Sequence, residues 1–180
     1  MKTALILAHP NFETSAANRA LIDAVADLPD VEIAYLDALY PDGRIDFDAE
    51  VERLLGADRI VLQFPMYWYS TPPILKKWQD DVLTPILYIR PEIGARLSGK
   101  PLRIATTTAS EAASYVEGGR NGFTVAQLFA PLRAMANRSG FVWEEPFVVH
   151  DIRGSTPETL ALQAARYRAL LASEALAEAA

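Results

Sequence analysis

The residues best suited to chemistry stand where three apolar runs end. The most informative stretch is Gln63-Phe64-Pro65-Met66-Tyr67-Trp68-Tyr69-Ser70-Thr71-Pro72-Pro73-Ile74-Leu75-Lys76-Lys77-Trp78. An apolar strand pattern, residues 59–64, runs there into three consecutive aromatics. Burying Tyr67, Trp68 and Tyr69 in a core would strand two hydroxyls and an indole N–H, because successive residues point different ways. At the carboxyl end of a strand, where open α/β sheets bind ligands, such a cluster suits a flat ligand. A flavin ring is the flat ligand to consider; a sheet-edge cluster or an oligomer interface is the alternative. A second group, His9-Pro10-Asn11-Phe12-Glu13-Thr14-Ser15-Ala16-Ala17-Asn18, follows the apolar run at residues 4–8. It has no Gly-x-Gly-x-x-Gly fingerprint and no Walker glycines. A short polar loop that opens a helix, with hydroxyls at Thr14 and Ser15, can hold an anion on free N–H groups. An ordinary helix cap beside a satisfied histidine reads equally well. The third group is Thr106-Thr107-Thr108-Ala109-Ser110, which offers hydroxyl and backbone donors to polar ring atoms, or simply completes a strand. Tyr115 follows in a loop with Gly118, Gly119, Asn121 and Gly122. It is either a mobile surface residue or a proton donor to a developing oxyanion. His150, ending the last strand, reads as structural.

These groups need a scaffold that brings strand ends together. Residues 4–8 are continuously apolar, as a strand covered on both faces requires. A helix starting near Thr14 or Ser15 carries Ala17, Leu21, Val25 and Leu28 at helical spacing and stops at Pro29. Strands at 31–36 and 59–64 flank a helix at 48–55. Thr71 caps the next helix, with Pro72 at its first position, and Ile74, Trp78 and Val82 share a face. A fourth strand covers 102–106. Thr124-x-x-Gln127 is a capping box for a helix running toward Asn137, kinked at Pro131. Residues 141–149 hold the fifth strand, interrupted at Pro146. Ser155-x-x-Glu158 is a second capping box, and Leu160, Ala164, Tyr167 and Leu171 line one face of the last helix. The Ala-rich tail after Leu171 reads as a fraying helix end. Two connections, 84–100 and 109–123, are long enough to be functional loops. Alternating strands and helices predict an α/β fold: one flavodoxin-like domain over residues 1–180, a doubly wound five-stranded parallel sheet of order 2-1-3-4-5 with helices on both faces. In that order the loops after strands one, three and four are neighbours at the switch point, so one flavin nucleotide reaches all three.

Composition narrows the function. The chain has no cysteine and two histidines, which leaves no disulfide, thiolate site or cysteine nucleophile and disfavours zinc. A formal net charge of −6 without a basic cluster disfavours nucleic acid. With neither a signal peptide nor a membrane span in the pattern, the cytoplasm is the expected compartment.

His9-Pro10, Ser15 and Asn18 resemble the H-P-x(4)-S-x-x-N opening of the NAD(P)H:quinone oxidoreductase family. That family includes the DT-diaphorases and the ancillary flavoproteins of glutathione-gated potassium efflux. Phe64 to Tyr69 and Pro72 to Trp78 resemble its F-P-x-Y-W-Y…P-x-x-L-K-x-W signature. Leu97-Ser98-Gly99-Lys100, Asn121-Gly122-Phe123 and Pro146-Phe147-Val148 are similar to its other segments. The resemblance implies a homodimer with FMN, or FAD, passing hydride from NAD(P)H to a quinone-like acceptor. It implies that His9, Ser15 and Asn18 hold the phosphate, that Pro65, Met66, Tyr67, Trp68 and Tyr69 line the ring, and that Thr106, Thr107, Thr108 and Ala109 meet ring and ribityl chain. A regulatory subunit of a potassium-efflux transporter and a flavodoxin-type electron carrier are the alternatives. The chain departs from the family in three places, one of them residues 83–91, which do not resemble the family's usual glycine- and aromatic-containing loop. Thr108 and Ala109 stand where T-T-G-G has glycines, which predicts an altered flavin fit. Where the family has a tyrosine and a histidine near the flavin, this chain has Tyr115 and Arg120, and arginine shuttles no proton at neutral pH.

Overall fold

The computed structural model describes residues 1–173; the Ala-rich tail from residue 174 onward lies outside the described residues. Strands β1 (Thr3–Leu7), β2 (Val31–Tyr35), β3 (Arg59–Pro65) and β4 (Pro101–Thr107) form a parallel sheet of order β2-β1-β3-β4. The last strand is two pieces, β5 (Val142–Trp143) and β6 (Phe147–Val149), both paired in parallel with β4. Pro146 lies in the gap between them and has no N–H to give a ladder. Register places Leu7 beside Gln63 and Pro65 beside Thr107, so β3 and β4 finish level and β1 ends two residues earlier on the same edge.

Period-2 alternation divides the sheet's side chains between two cores. Leu5, Leu7 and Val61 pack with Leu21, Ile22 and Tyr167. Those last three lie on helices α1 (Ala16–Asp23) and α9 (Pro157–Ser173). Ile6, Ile60, Leu62 and Ile104 face the opposite layer. That layer contains α3 (Phe47–Gly56), α4 (Pro73–Trp78), α6 (Pro91–Leu97) and α8 (Ala130–Arg138), with the short α2 (Leu36–Leu39), α5 (Thr84–Tyr88) and α7 (Val125–Leu128) between.

Several local expectations change. The first helix ends at Asp23, five residues early, and turns carry the chain to Pro29 while Val25 stays buried. Leu36 opens α2 instead of closing β2. Thr71 does not cap α4: Pro72 is the N-cap and Pro73 the first helical residue. Residues 84–100 are not a long loop: most of the segment is α5 and α6, joined by two residues. After Trp78 the chain continues as a π turn, Gln79–Leu83, into α5. Pro85 cannot donate to the carbonyl four residues back, which accounts for the wider register just before it. Thr124 and Gln127 do form the capping box, but the helix breaks at Phe129 and Pro131 enters α8 within its first turn. The second box is shifted by one residue: Thr156 and Thr159 bond each other's amides, at 2.8 and 3.3 Å. Ser155 donates to Asp151 O instead.

Two signature residues prove to be anchors. Glu50 of α3 is fully buried. Its Oε2 accepts from Trp78 Nε1 at 2.8 Å, and Oε1 accepts from the Tyr40 hydroxyl at 2.7 Å and from Arg53 Nε at 3.4 Å. Burial and the adjacent Glu50 push the Tyr40 phenol well above its ordinary range. Lys100 Nζ donates to Leu54 O at 2.8 Å, to Leu55 O at 3.0 Å and to Ala57 O, capping the carboxyl end of α3. The helix that follows the aromatic stretch is thereby fastened to α3, and α3 to the start of β4.

Candidate functional site

The polar core of the site is Asn18, which is fully buried. Ser15 caps α1 by accepting from the Asn18 backbone N–H at 3.3 Å. The Asn18 side-chain amide donates to Thr107 Oγ1 at 3.1 Å. Gln63 Nε2 donates to Asn18 O and to Asn18 Oδ1, both at 3.3 Å. One side chain therefore ties together the loop after β1 and the ends of β3 and β4. Gln63 was not singled out in the sequence; its signal is an amide standing between Leu62 and Phe64 in an otherwise apolar strand end. Its Oε1 is buried with no partner among the described residues. The helix start leaves the amides of Ala16 and Ala17 without intrahelical acceptors, beside the Ser15 hydroxyl. This is a donor set for an anion.

His9, also buried, shapes that loop from the side. Its Nδ1 accepts from Asn11 N–H at 3.1 Å, its own N–H donates to the Asp37 carboxylate at 2.8 Å, and Tyr35 Oη donates to its carbonyl at 2.8 Å. Burial holds the imidazole below its ordinary range, against the pull of Asp37. Burial lowers His150 in the same way. Both rings therefore fold neutral, while the unfolded chain takes up protons as pH falls below about 6.5. Their contribution to stability is full above that pH and is lost as pH falls toward the lowered folded values. The ligand-free protein should melt at a lower temperature at pH 5.5 than at pH 7.5. Because the chain has only these two histidines, a His9→Gln/His150→Asn double variant should lose most of that difference.

Residues Tyr67–Ser70 form a tight hairpin. Tyr67 and Ser70 exchange both backbone bonds at 3.0 Å. The two central residues, Trp68 and Tyr69, have φ of 46° and 65°. Such turns normally take Asn or Gly at those positions. Left-handed backbone costs an ordinary residue roughly 1–2 kcal/mol, and strain of this kind clusters at ligand sites. The Trp68 side chain is 92 % exposed, so it contributes little packing in return. Trp68→Asn should raise the stability of the flavin-free protein by up to about 1 kcal/mol, read as a higher thermal midpoint. Met66 is half-buried and its N–H donates to Thr107 O at 2.9 Å; Pro65 is buried in the sheet. The Tyr69 hydroxyl donates to Asn121 Oδ1 at 3.4 Å, which links the turn to the loop after β4.

That loop is compact. A Cβ on Gly119 would meet Ala113 O at 2.7 Å, so the chain folds back on itself there. Tyr115 is buried, its ring 5.4 Å from that of His150. Arg120 and Ala109 are exposed. The Thr106 hydroxyl donates to Phe64 O at 2.7 Å and is turned into the sheet. Thr108, in a glycine position of the family pattern, is also buried, and its hydroxyl lies 2.8 Å from Ser110 O and 3.0 Å from His150 Nδ1. Of the residues singled out, Ser15, Asn18, Thr107, Met66 and Tyr69 are joined by hydrogen bonds across the three loops. His9 supports the first loop, Thr108 and Tyr115 support the third, and Arg120 stands at its outer edge.

A doubly wound parallel sheet with its polar groups at the β1/β3 crossover defines the flavodoxin type of nucleotide-binding protein. A family model described as flavodoxin-like fold matches residues 1–171, and the chain belongs to that family. It is 38% identical over 167 residues to the uncharacterized NAD(P)H oxidoreductase YdeQ of Bacillus subtilis (strain 168), covering 93% of this chain and 84% of that one. It is 41% identical over 164 residues to the glutathione-regulated potassium-efflux system ancillary protein KefF of Klebsiella pneumoniae (strain 342), covering 91% of each. Among solved structures, general stress protein 14 of Treponema denticola in complex with FMN superimposes with a TM-score of 0.87 at 32% identity, over 96% of this chain and 99% of that one. An NADPH-quinone reductase from P. pentosaceus superimposes with a TM-score of 0.84 at 28% identity, over 94% and 97%. No helix among the described residues is long and apolar enough to cross a membrane.

Proposed function

We propose that this chain is a single-domain flavin-dependent oxidoreductase that passes hydride from NAD(P)H, through bound FMN, to a quinone-like acceptor. The observation that carries the reading is the hydrogen-bonded junction of three strand-end loops around Asn18, Gln63 and Thr107. The residues present fit FMN. The Ser15 hydroxyl and the first-turn amides of α1 supply donors for a phosphate, the unpartnered Gln63 carbonyl oxygen offers an acceptor, and the strained turn at Trp68 and Tyr69 presents backbone and aromatic surface. When bound, the flavin supplies the hydride-accepting and hydride-donating chemistry; the protein binds and orients. His9 and Asn18 hold the phosphate loop in shape. Pro65 to Tyr69 wall the ring, and Thr107 at the end of β4 borders it with Thr108 and Ala109 of the loop that follows. Tyr115 and Arg120 supply a donor and a cation where charge develops during reduction. FMN in the Treponema relative favours FMN over FAD.

Tyr67, Trp68, Tyr69, Tyr88 and Ile89 are all exposed, more apolar surface than a solitary monomer usually shows, which supports a homodimer. The KefF likeness supports a second reading, a cytoplasmic ancillary subunit of a potassium-efflux transporter. The test is steady-state oxidation of NADH and NADPH by the FMN-loaded protein with menadione as acceptor. Many turnovers per flavin are expected. Tight FMN binding without turnover would overturn the enzyme reading and leave a carrier or regulatory flavoprotein; no flavin binding would overturn both.

A further inference from the structure

The end of β6 and the residues after it are laced to the start of the loop after β4. Thr108 N–H donates to Val149 O at 2.9 Å, Ile152 N–H to Thr108 O at 3.1 Å, and Asp151 N–H to Ser110 O at 3.0 Å. Asp151 adopts a left-handed backbone, φ 55°, to make this turn. In the middle stands His150, with Nδ1 3.0 Å from Thr108 Oγ1 and its ring against Tyr115. The direction of the hydrogen bonds follows from proton counting. A carbonyl oxygen only accepts, so the 2.8 Å contact to Ser110 O takes the one hydroxyl proton of Thr108. The proton between Thr108 and His150 must then come from the ring, on Nδ1. In water the neutral imidazole carries its proton mainly on Nε2, so the protein selects the minority tautomer. A ring nitrogen's state is set by the hydrogen bond it makes.

We propose that His150, as the Nδ1–H tautomer, is the positioning residue that holds Thr108, and with it the flavin-facing loop after β4, in its binding geometry. The inference rests on the flavin reading above. It also accounts for the threonine in a glycine position: the hydroxyl that would otherwise crowd the cleft is drawn inward by a donor 42 residues later in the chain. Tyr115 packs on the same ring, so one imidazole sets two residues of the loop.

Two variants separate positioning from packing. His150→Phe keeps a ring against Tyr115 and removes the donor. His150→Asn places an amide N–H near the Nδ1 position and removes the ring. FMN binding to flavin-free protein, followed by flavin fluorescence, should weaken about 10-fold in His150→Phe and stay within about 3-fold of wild type in His150→Asn. The reverse order would show that His150 serves only as packing and would overturn the proposal. Nitrogen-15 shifts of the His150 ring in the wild-type protein give a readout that needs neither flavin nor a variant. A protonated Nδ1 with a bare Nε2 is expected at neutral pH, and the Nε2–H form would equally overturn it. If wild type binds no FMN while the ring shifts show Nδ1–H, the flavin reading fails and the tautomer assignment stands.

Discussion

Glu50→Ala is expected to cost about 3–5 kcal/mol, the range for removing one side of a buried ionic network. The carboxylate satisfies the Trp78 indole and the Tyr40 hydroxyl in a fully buried position. Deleting it strands both donors, at about 1–3 kcal/mol each, and opens a hole between α3 and α4. Glu50→Gln keeps the volume and one acceptor oxygen, so it should cost less than half as much. Urea unfolding of the flavin-free proteins measures both. A loss under about 1 kcal/mol in Glu50→Ala, within the usual range for surface substitutions and small truncations, would mean that water or a rearranged side chain replaces the carboxylate. The consequence extends to the site, because α4 begins three residues after the strained turn. Loosening Trp78 should therefore weaken flavin binding as well as the fold.

Ser15→Asp separates the site from the fold in the opposite way. Aspartate caps helices about as well as serine, so the flavin-free protein should keep its thermal midpoint. The new charge lies where the FMN phosphate is expected. At an effective dielectric near 20, like charges a few ångströms apart repel by several kcal/mol, so FMN affinity should fall at least ~100-fold. Riboflavin has no phosphate, and its affinity should change little. Equal FMN binding by Ser15→Asp and wild type would place the phosphate elsewhere.

Much of this architecture was legible in the chain. The apolar runs, the Thr124-Gln127 box and the Trp78-Val82 face identify strands and helices, because burial imposes periodicity; the strand order follows from the doubly wound fold type, not from the pattern. Residues 84–100 read as a connection because Pro85 and Pro91 punctuate them, whereas a helix accepts proline in its first turn. The shift from Ser155 to Thr156 reflects two hydroxyl residues side by side, either able to cap. In the site, Ser15, Asn18 and the aromatic stretch stood out by residue type and by their place after strands. Gln63 and His150 did not, because their roles depend on partners 45 and 42 residues away that only the strand pairing brings close. The left-handed Trp68 and Tyr69 were hidden for another reason: nothing about their identity announces a conformation that asparagine or glycine would normally take.

We propose that the loops after β1, β3 and β4 form one flavin site. Amide hydrogen exchange on the flavin-free protein, with and without saturating FMN, tests it most directly. Added protection is expected in three separated segments at once, residues 9–18, 65–71 and 107–121, with α6 and α9 unchanged. Protection confined to one of these segments, or absent from all three, would contradict it.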